Sequence, residues 1–301
     1  MKESKKLRRS LIIAALALLA ALFSISAATF AWYIYNTAAR TTKVEMVAGS
    51  SVSLEISSQP DTGFASSAVM DSFEGRLTPV STDNISRGFQ KVILFTSQPV
   101  PGTDTERLVA TIFGKSVVLP EKEKMDFHKT SLYLRTNAPK LDIYLWDIGF
   151  EDSDKQCPIS TAMRVGLVAE KANDKGEYRE SIFEISQEHD LLAEDNGAKE
   201  PDGGHVLDSN QTDGTTVKFS PYTSENFCNY DRNTGAVTLK GNNSRMLCTV
   251  YGGQDGGYGE AVKLDVYLWL EGCDEDCSVH IADQTLTNLA LSFAGYAGKG
   301  A

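Results

Sequence analysis

The sequence has few of the residues, and lacks the short motifs, that many enzyme classes require. It holds only four histidines, each isolated from the others. No G-x-S-x-G elbow, no H-E-x-x-H zinc motif and no S-x-x-K with its partner motifs occurs. The glycine-rich run at 252–259 lacks the Lys-[Ser/Thr] ending of a phosphate-binding loop, and we interpret it as a flexible hairpin loop. We therefore expect a protein that is not an enzyme and that uses no cofactor.

Positive charge is scarce after the first forty residues. The chain has 29 Lys and Arg against 40 Asp and Glu. Residues 41–301 hold 23 of these bases and 39 of the acids, which leaves a net charge of −16. Such a body repels phosphate backbones, so the charge excludes nucleic acid as a partner.

One long uncharged run is present, from Leu11 to Tyr35, and it follows the basic cluster Lys5–Arg9. As a helix this run would be about 37 Å long, enough to cross a hydrocarbon core of about 30 Å. By the positive-inside rule the basic end stays in the cytoplasm and the rest of the chain is exported. We predict that residues 1–40 are a signal peptide or a membrane anchor. The body is then secreted, or lies at the cell surface on the extracellular face of the cytoplasmic membrane.

Two fates of this N-terminal segment stay open. Small residues at the −3 and −1 positions favour cleavage by a signal peptidase after Ala28 or Ala31. The run is longer than a usual signal peptide core, however, and Trp32, Tyr33 and Tyr35 form an aromatic belt typical of a retained anchor.

The residues Ala27-Ala28-Thr29-Phe30-Ala31-Trp32-Tyr33 resemble the end of the signal peptides that the SipW class of signal peptidase processes in Gram-positive bacteria. Proteins with such leaders include the TasA/camelysin type of cell-surface and biofilm-matrix proteins. The stretches 77–82, 162–165 and 266–272 are similar to motifs in uncharacterised secreted proteins with this kind of leader. The resemblance implies a jelly-roll-like fold, a structural role, and assembly into fibres by strand addition at sheet edges.

After residue 40 the hydrophobic pattern has a period of two, most clearly at Val262–Leu270. The other predicted strands are shorter: 52–56, 91–96, 107–113, 116–119, 131–135, 141–146, 162–169, 216–219, 236–239, 246–250 and 286–293. A parallel sheet would need crossover helices, and the body offers a plausible helix only at Tyr178–Leu192. The predicted fold class is therefore mostly β. We expect an antiparallel, jelly-roll-like β-sandwich over residues 41–301, preceded by one apolar N-terminal helix.

Residues 171–214 are rich in Glu, Asp, Asn and Gly and poor in apolar side chains. Such a stretch buries too little apolar surface to offset the entropy of ordering it. We predict a mobile acidic insertion in the sandwich, or alternatively a division of the body into two lobes.

Two segments, KLDIYLW at 140–146 and KLDVYLW at 263–269, echo each other. The favoured interpretation is two equivalent strands that carry their Tyr and Trp on an outer sheet face. If exposed, Tyr144, Trp146, Tyr267 and Trp269 would form an aromatic surface for a glycan or a protein partner. Alternatively, a loop or another sheet covers that face.

Five cysteines leave at least one thiol unpaired in a monomer. Export permits a local disulfide between Cys273 and Cys277, with free thiols as the alternative. Zinc is disfavoured because no paired ligand spacing occurs. The acidic residues at 271–276 and 151–154 are interpreted as solvated loop tips, with calcium as the alternative, although no EF-hand spacing is present. We predict no metal ligand.

Three functions fit an exported, non-enzymatic β protein. The first is a cell-surface or biofilm-matrix structural protein that associates with itself or with other surface proteins. The second is a membrane-tethered recognition module that binds a glycan or a protein through its Tyr and Trp side chains. The third is a pilin-like subunit, which is weakened because the apolar run lacks the Glu near its start that such subunits usually carry.

Overall fold

The computed structural model describes residues 39–48, 53–70, 77–99, 106–112, 127–152, 158–171, 173, 175–186, 205–207, 216–218, 221–272, 274, 277 and 286–298. In these ranges the chain is mostly β-strand, as the sequence predicts, and the helices are three short 3-10 turns at Ile85–Arg87, Ile159–Ala162 and Ser224–Asn226. The membrane helix is predicted within residues 1–40, and residues 1–38 lie outside the described residues. Nowhere in the described ranges is a helix long and apolar enough to cross a bilayer.

The strands, in chain order, are β1 (Ala39–Ala48), β2 (Leu54–Ser57), β3 (Ser67–Ala68), β4 (Val80–Ser81), β5 (Gln90–Pro99), β6 (Glu106–Ile112), β7 (His128–Thr136), β8 (Leu141–Asp152), β9 (Met163–Ala169), β10 (Arg179–Glu184), β11 (His205–Leu207), β12 (Thr216–Lys218), β13 (Asn229–Tyr230), β14 (Val237–Thr238), β15 (Met246–Val250), β16 (Val262–Leu270) and β17 (Leu286–Tyr296).

Most of these strands form two five-stranded sheets. Sheet A has the order β15-β8-β17-β1-β3, and sheet B has the order β10-β9-β16-β7-β2. Neighbours are antiparallel throughout sheet B, and in sheet A all but one pair are antiparallel. The exception is β1, which runs parallel to β17.

One hydrophobic core takes side chains from both sheets. Leu132 and Leu264 of sheet B belong to the same buried cluster as Ile143, Leu291 and Phe293 of sheet A. The period-two pattern explains this, because alternate residues of a strand lie on one face and can be buried together. Strand β16 has the predicted bounds, and β15 does as well.

The structure corrects two predictions for the middle of the chain. The segment Tyr178–Leu192, a helix candidate from sequence, contains the strand β10, which pairs with β9 over six residues. The same strand lies inside the predicted mobile insertion at 171–214, so part of that region belongs to a main sheet. Four of its six residues are buried, and the burial of the apolar pair Ile182 and Phe183 outweighs the polar composition of the surrounding stretch. Residues 187–204 lie outside the described residues.

The glycine-rich run is a loop whose two ends are hydrogen-bonded to the β7–β8 connection and the end of β7. The amide of Gly252 donates to the carbonyl of Ala138 at 2.7 Å, and that of Gly259 donates to Thr136 at 3.1 Å. A Cβ on Gly259 would overlap the carbonyl of Tyr251, so the backbone approaches more closely than other residues allow.

An arginine fastens this loop to the edge of sheet B. The guanidinium of Arg135 lies between two rings, 4.0 Å from the centroid of Phe64 and 4.3 Å from that of Tyr258. It also donates to Glu55 at 2.7 Å, and the Tyr258 hydroxyl donates to the other oxygen of the same carboxylate at 2.7 Å. These contacts join the loop to β2 and β7.

The substitution Gly259→Ala should lower the free energy of unfolding by about 1–3 kcal/mol, because the added methyl overlaps backbone that cannot move freely. Gly257→Ala is the matched control, since nothing lies within 4 Å of a Cβ at that position. The control should stay within about 0.5 kcal/mol of wild type. Urea unfolding of the three proteins measures both values, and equal stability of the two variants would contradict the close packing of the loop.

Candidate functional site

The two echoed segments lie in different sheets. Tyr144 and Trp146 are on β8 of sheet A, and Tyr267 and Trp269 are on β16 of sheet B. Trp269 is completely buried and Tyr144 is 7% exposed, whereas Trp146 and Tyr267 are half-buried. The expectation of an exposed four-residue aromatic surface is therefore wrong. The alternative, in which other parts of the chain cover these faces, is confirmed.

The outer face of sheet B is covered by the segment 80–89. Its side chains Ile85 and Phe89 form a separate hydrophobic cluster with Trp269. The Phe89 ring meets the Trp269 ring edge-on, with centroids 5.3 Å apart. Gly166 on the neighbouring strand makes room for this contact, because a Cβ there would overlap the Ile85 side chain.

The outer face of sheet A is covered by residues 228–239, which include the small hairpin of β13 and β14. Tyr144 clusters there with Cys228, and Val237 and Leu239 pack against the pair. Trp146 extends beyond this cluster towards the hairpin, with Tyr230 at 5.3 Å between ring centroids. Each sheet thus has a second apolar face that needs its own cover.

A buried arginine gathers three carboxylates between β9 and the segment after β16. Arg164 is 2% exposed, hydrogen-bonds Asp274 and lies 3.8 Å from Glu184. Burial alone would lower the pKa of Arg164. The negative charges of the nearby carboxylates have the larger effect and raise this pKa; they belong to Asp274, Glu184 and Glu271. Glu271 also accepts a hydrogen bond from the Trp269 indole at 3.0 Å.

This cluster corrects the interpretation of Glu271 and Asp274 as part of a solvated tip, whereas Glu275 and Asp276 lie outside the described residues. Glu271 and Asp274 are 3% and 7% exposed, because Asp274 hydrogen-bonds the buried guanidinium and Glu271 accepts the hydrogen bond from the Trp269 indole. Within the described ranges no group of three or more His, Cys, Asp or Glu is placed to hold a metal ion. His128 lies on β7 and His205 on β11, while His189 and His280 fall outside the described residues.

The cysteine and cleavage predictions are only partly covered by the described residues. Cys277 is buried, and its predicted partner Cys273 lies outside them, so the disulfide stays a prediction. Ala28 and Ala31, the predicted cleavage positions, also lie outside. Burial raises the pKa of the Cys228 thiol to about 11 and that of Cys248 to about 12.

The alternation of core-facing side chains along β8 is interrupted at Trp146. Along the ladder β8 advances by two residues, from Leu145 to Asp147, where β17 advances by one. Trp146 is therefore the extra residue of a β-bulge, a feature that redirects side chains. Leu145 enters the core before the bulge and Ile148 enters it afterwards.

A groove of about 400 Å³ lies beside this bulge. Trp146 and Phe150 of β8, Glu184 at the end of β10, Phe227 and Lys240 are among the residues that line it. This volume falls within the range of small-molecule pockets, and the lining combines aromatic side chains with a few polar groups. Of the four aromatic residues predicted from sequence, Trp146 lines the groove and the other three do not. Glu184 and Lys240 were missed because no local pattern signals a bulge or a contact between distant strands.

Comparison of the chain with protein families, curated proteins and solved structures finds no match. The resemblance to the TasA/camelysin type therefore stays a prediction.

Three of the four edges of sheets A and B accept or donate hydrogen bonds to other parts of the chain. Ile56 on β2 exchanges two backbone hydrogen bonds with Ala65, at 2.8 and 3.0 Å. Tyr222 makes two such bonds with β10. On β15, the carbonyl of Met246 accepts a hydrogen bond from Arg179 at 3.1 Å.

The fourth edge is the least covered. Strand β3 pairs with β1 only at Val44 and Glu45. No other strand in the described ranges pairs with this side of β1, although β1 is ten residues long. An unpaired row of backbone donors and acceptors is a template for another strand.

The buried Cys248 thiol should make the protein less stable at alkaline pH. An unfolded thiol ionises near its ordinary pKa of 9, whereas the native thiol keeps its proton to about pH 12. The native state therefore binds more protons in this window, and stability falls as pH rises through it. The loss of unfolding free energy begins near pH 9 and reaches a slope of about 1.4 kcal/mol per pH unit.

Urea unfolding of wild type and Cys248→Ala at pH 8, 9, 10 and 11 measures this effect. The stability difference between the two proteins should shrink with each step above pH 9. A constant difference across the series would contradict the raised pKa. Cys228 is present in both proteins and cancels from the comparison.

Proposed function

We propose that the protein is an exported, non-enzymatic structural component of a cell surface or biofilm matrix, and that it associates with itself through the β1 edge. Its N-terminal apolar segment delivers an acidic body to the far side of the cytoplasmic membrane. The observation that carries the proposal is the edge of β1, which in the described ranges pairs only with the two-residue strand β3, whereas the other three edges of sheets A and B make further hydrogen bonds. The resemblance of the leader to those of matrix proteins supports the same function.

The body of this component is a β-sandwich with jelly-roll-like strand order. The shared core of sheets A and B supports two facing layers. The orders β15-β8-β17-β1 and β10-β9-β16-β7 match two Greek keys wound together, as in a jelly roll. The parallel pairing of β1 with β17 departs from that antiparallel scheme and makes β1 an added strand at one end of sheet A.

Strand addition at this edge needs no change in the rest of the fold. Residues Met46–Ala48 follow the two positions that β3 covers, and they pair with β17 in regular register. Backbone hydrogen bonds from a second copy would extend sheet A by one strand. The net charge of −16 in residues 41–301 opposes association, so salt should promote it by screening.

Adjacent proline substitutions test the β1 edge. Neighbouring N–H groups of a strand point to opposite edges, so one of Met46→Pro and Val47→Pro removes an N–H that faces β17, and the other removes one that faces outward. The variant that loses the N–H facing β17 should be less stable than wild type by about 3 kcal/mol. The variant that loses the outward N–H should keep most of its stability, and it should no longer self-associate in sedimentation velocity at physiological salt. A stable variant that associates like wild type would contradict assembly through β1.

Fractionation with N-terminal sequencing tests export. The chain should be found in the membrane or the medium, either intact or starting at residue 29 or 32 after cleavage behind Ala28 or Ala31. Intact chain in the membrane means a retained anchor. Native chain recovered from the cytosol would contradict the exported role.

The recognition module is the second candidate function, and the groove beside Trp146 favours it. The burial of Tyr144 and Trp269 removes the broad aromatic surface from consideration. Trp146 and the polar groups near it form a smaller, concave site instead. Ligand binding there is compatible with self-association, because the groove borders β8 and not β1.

A further inference from the structure

Aromatic and aliphatic side chains give the groove beside Trp146 an apolar wall. Ile148 and Phe150 of β8, Ile185 after β10 and Phe227 line it together with Trp146. Trp146 and Phe150 are only half-buried, which leaves part of each side chain accessible. A ligand that fills the groove must therefore offer apolar surface as well as polar groups.

The groove also holds polar groups with hydrogen-bonding capacity to spare. Asp147 is half-buried, and its carboxylate makes no hydrogen bond or ion pair with the described residues. The indole Nε1 of Trp146 is buried and likewise has no hydrogen-bond partner among them. Lys240 donates to the Ser224 carbonyl at 3.0 Å, and an ammonium group has three N–H donors, so two remain. The lining thus combines an unused acceptor group with unused donors.

The charges of the lining cancel. Glu184 belongs to the lining, but its carboxylate is buried against Arg164, on the opposite face of β10 from the core residue Phe183. The charges left to act on a ligand are the carboxylate of Asp147 and the ammonium group of Lys240. A cation is repelled by one of them and an anion by the other, whereas a neutral ligand avoids both penalties.

We propose that this groove binds a neutral saccharide, with Asp147 accepting a hydrogen bond from one sugar hydroxyl and Lys240 donating to another. A hydroxyl group donates and accepts at the same oxygen, so it suits a lining that mixes both kinds of group. The C–H groups of a sugar ring pack against Trp146 and Phe150. A peptide backbone fits less well, because each of its polar groups only donates or only accepts. This inference rests on the recognition function proposed above and names the ligand class for the same groove.

The experiment measures binding to the full-length chain by isothermal titration calorimetry, in a detergent whose head group is not a sugar. The neutral probes are glucose, galactose and mannose. Each is compared with its own amino sugar, which carries an ammonium group, and with its own uronic acid, which carries a carboxylate. A blocked, uncharged peptide of alternating threonine and valine is the peptide probe.

At least one of the neutral hexoses should bind with a Kd of about 1–10 mM, as expected for a ligand of this size. Its amino sugar and its uronic acid should each bind at least about fivefold more weakly, because each places a charge beside a like charge in the groove.

Two protein variants should shift this preference in opposite directions. Asp147→Asn should weaken binding of the neutral hexose by about fivefold, and it should favour the uronic acid over the amino sugar, because Lys240 is then the unbalanced charge. Lys240→Gln should favour the amino sugar for the converse reason. Asp255→Asn is the matched control, since this exposed aspartate does not line the groove, and it should change neither affinity nor preference.

Equal binding of the neutral and charged sugars would overturn the selection of a neutral ligand. Affinities that do not respond to Asp147→Asn and Lys240→Gln would place the sugar elsewhere and overturn the assignment of this groove. If no sugar binds up to about 50 mM while the peptide does, the saccharide inference is wrong and the recognition function stands. If neither sugar nor peptide binds, both are wrong. Self-association through β1, measured separately by sedimentation, is unaffected by each of these outcomes.

Discussion

The need to bury two apolar faces on each sheet governs the rest of this structure. One face of sheet A and one face of sheet B contribute side chains to the same hydrophobic core. The outer faces also carry large side chains, with Trp269 on one sheet and Tyr144 on the other. Leaving them in water would forgo roughly 1.5–3 kcal/mol for each large apolar side chain. The chain therefore supplies two covers, 80–89 over sheet B and 228–239 over sheet A.

Segments outside the main strands place polar groups where the strands alone would not. The path of the chain after β16 brings Glu271 and Asp274 to the buried Arg164, and the cover of sheet A forms one wall of the groove beside Trp146. Removing one partner from such a buried ion cluster costs about 3–5 kcal/mol, because the remaining charge stays out of water. The same cluster therefore fixes the local fold where β9, β10 and the segment after β16 meet.

The sequence predicts the strands well because their signal is local. The alternation at Val262–Leu270 shows which residues share a face, and the structure has a strand with those bounds. Alternation does not show whether the second face meets water, and this is why the exposure predicted for Trp269 is wrong. A hint was available in the apolar residues Val80, Ile85 and Phe89, which lie outside the strands predicted from sequence and so needed another surface to bury them.

The groove was beyond prediction for a different reason. Its position depends on the bulge at Trp146, and one extra residue in a ladder leaves no trace in the hydrophobic pattern of a single strand. The strand β10 was hidden as well, because its buried residues Ser181–Glu184 include a polar and a charged side chain. Glu184 is tolerated there through its pairing with Arg164, a residue twenty positions away in sequence that the antiparallel β9–β10 ladder brings opposite to it.

The position of β1 would link the proposed export to the proposed assembly. β1 begins at Ala39, four residues after Tyr35, the end of the predicted membrane segment. At about 3.5 Å per residue this connection spans at most about 14 Å. A retained helix would therefore hold the open β1 edge close to the bilayer, and two copies could meet only within the plane of the membrane. Cleavage after Ala28 or Ala31 would leave residues 29–38 or 32–38 ahead of β1 and remove that restriction. The same edge would then serve a lateral assembly at the membrane or a released fibre, and the fate of the leader would decide between them.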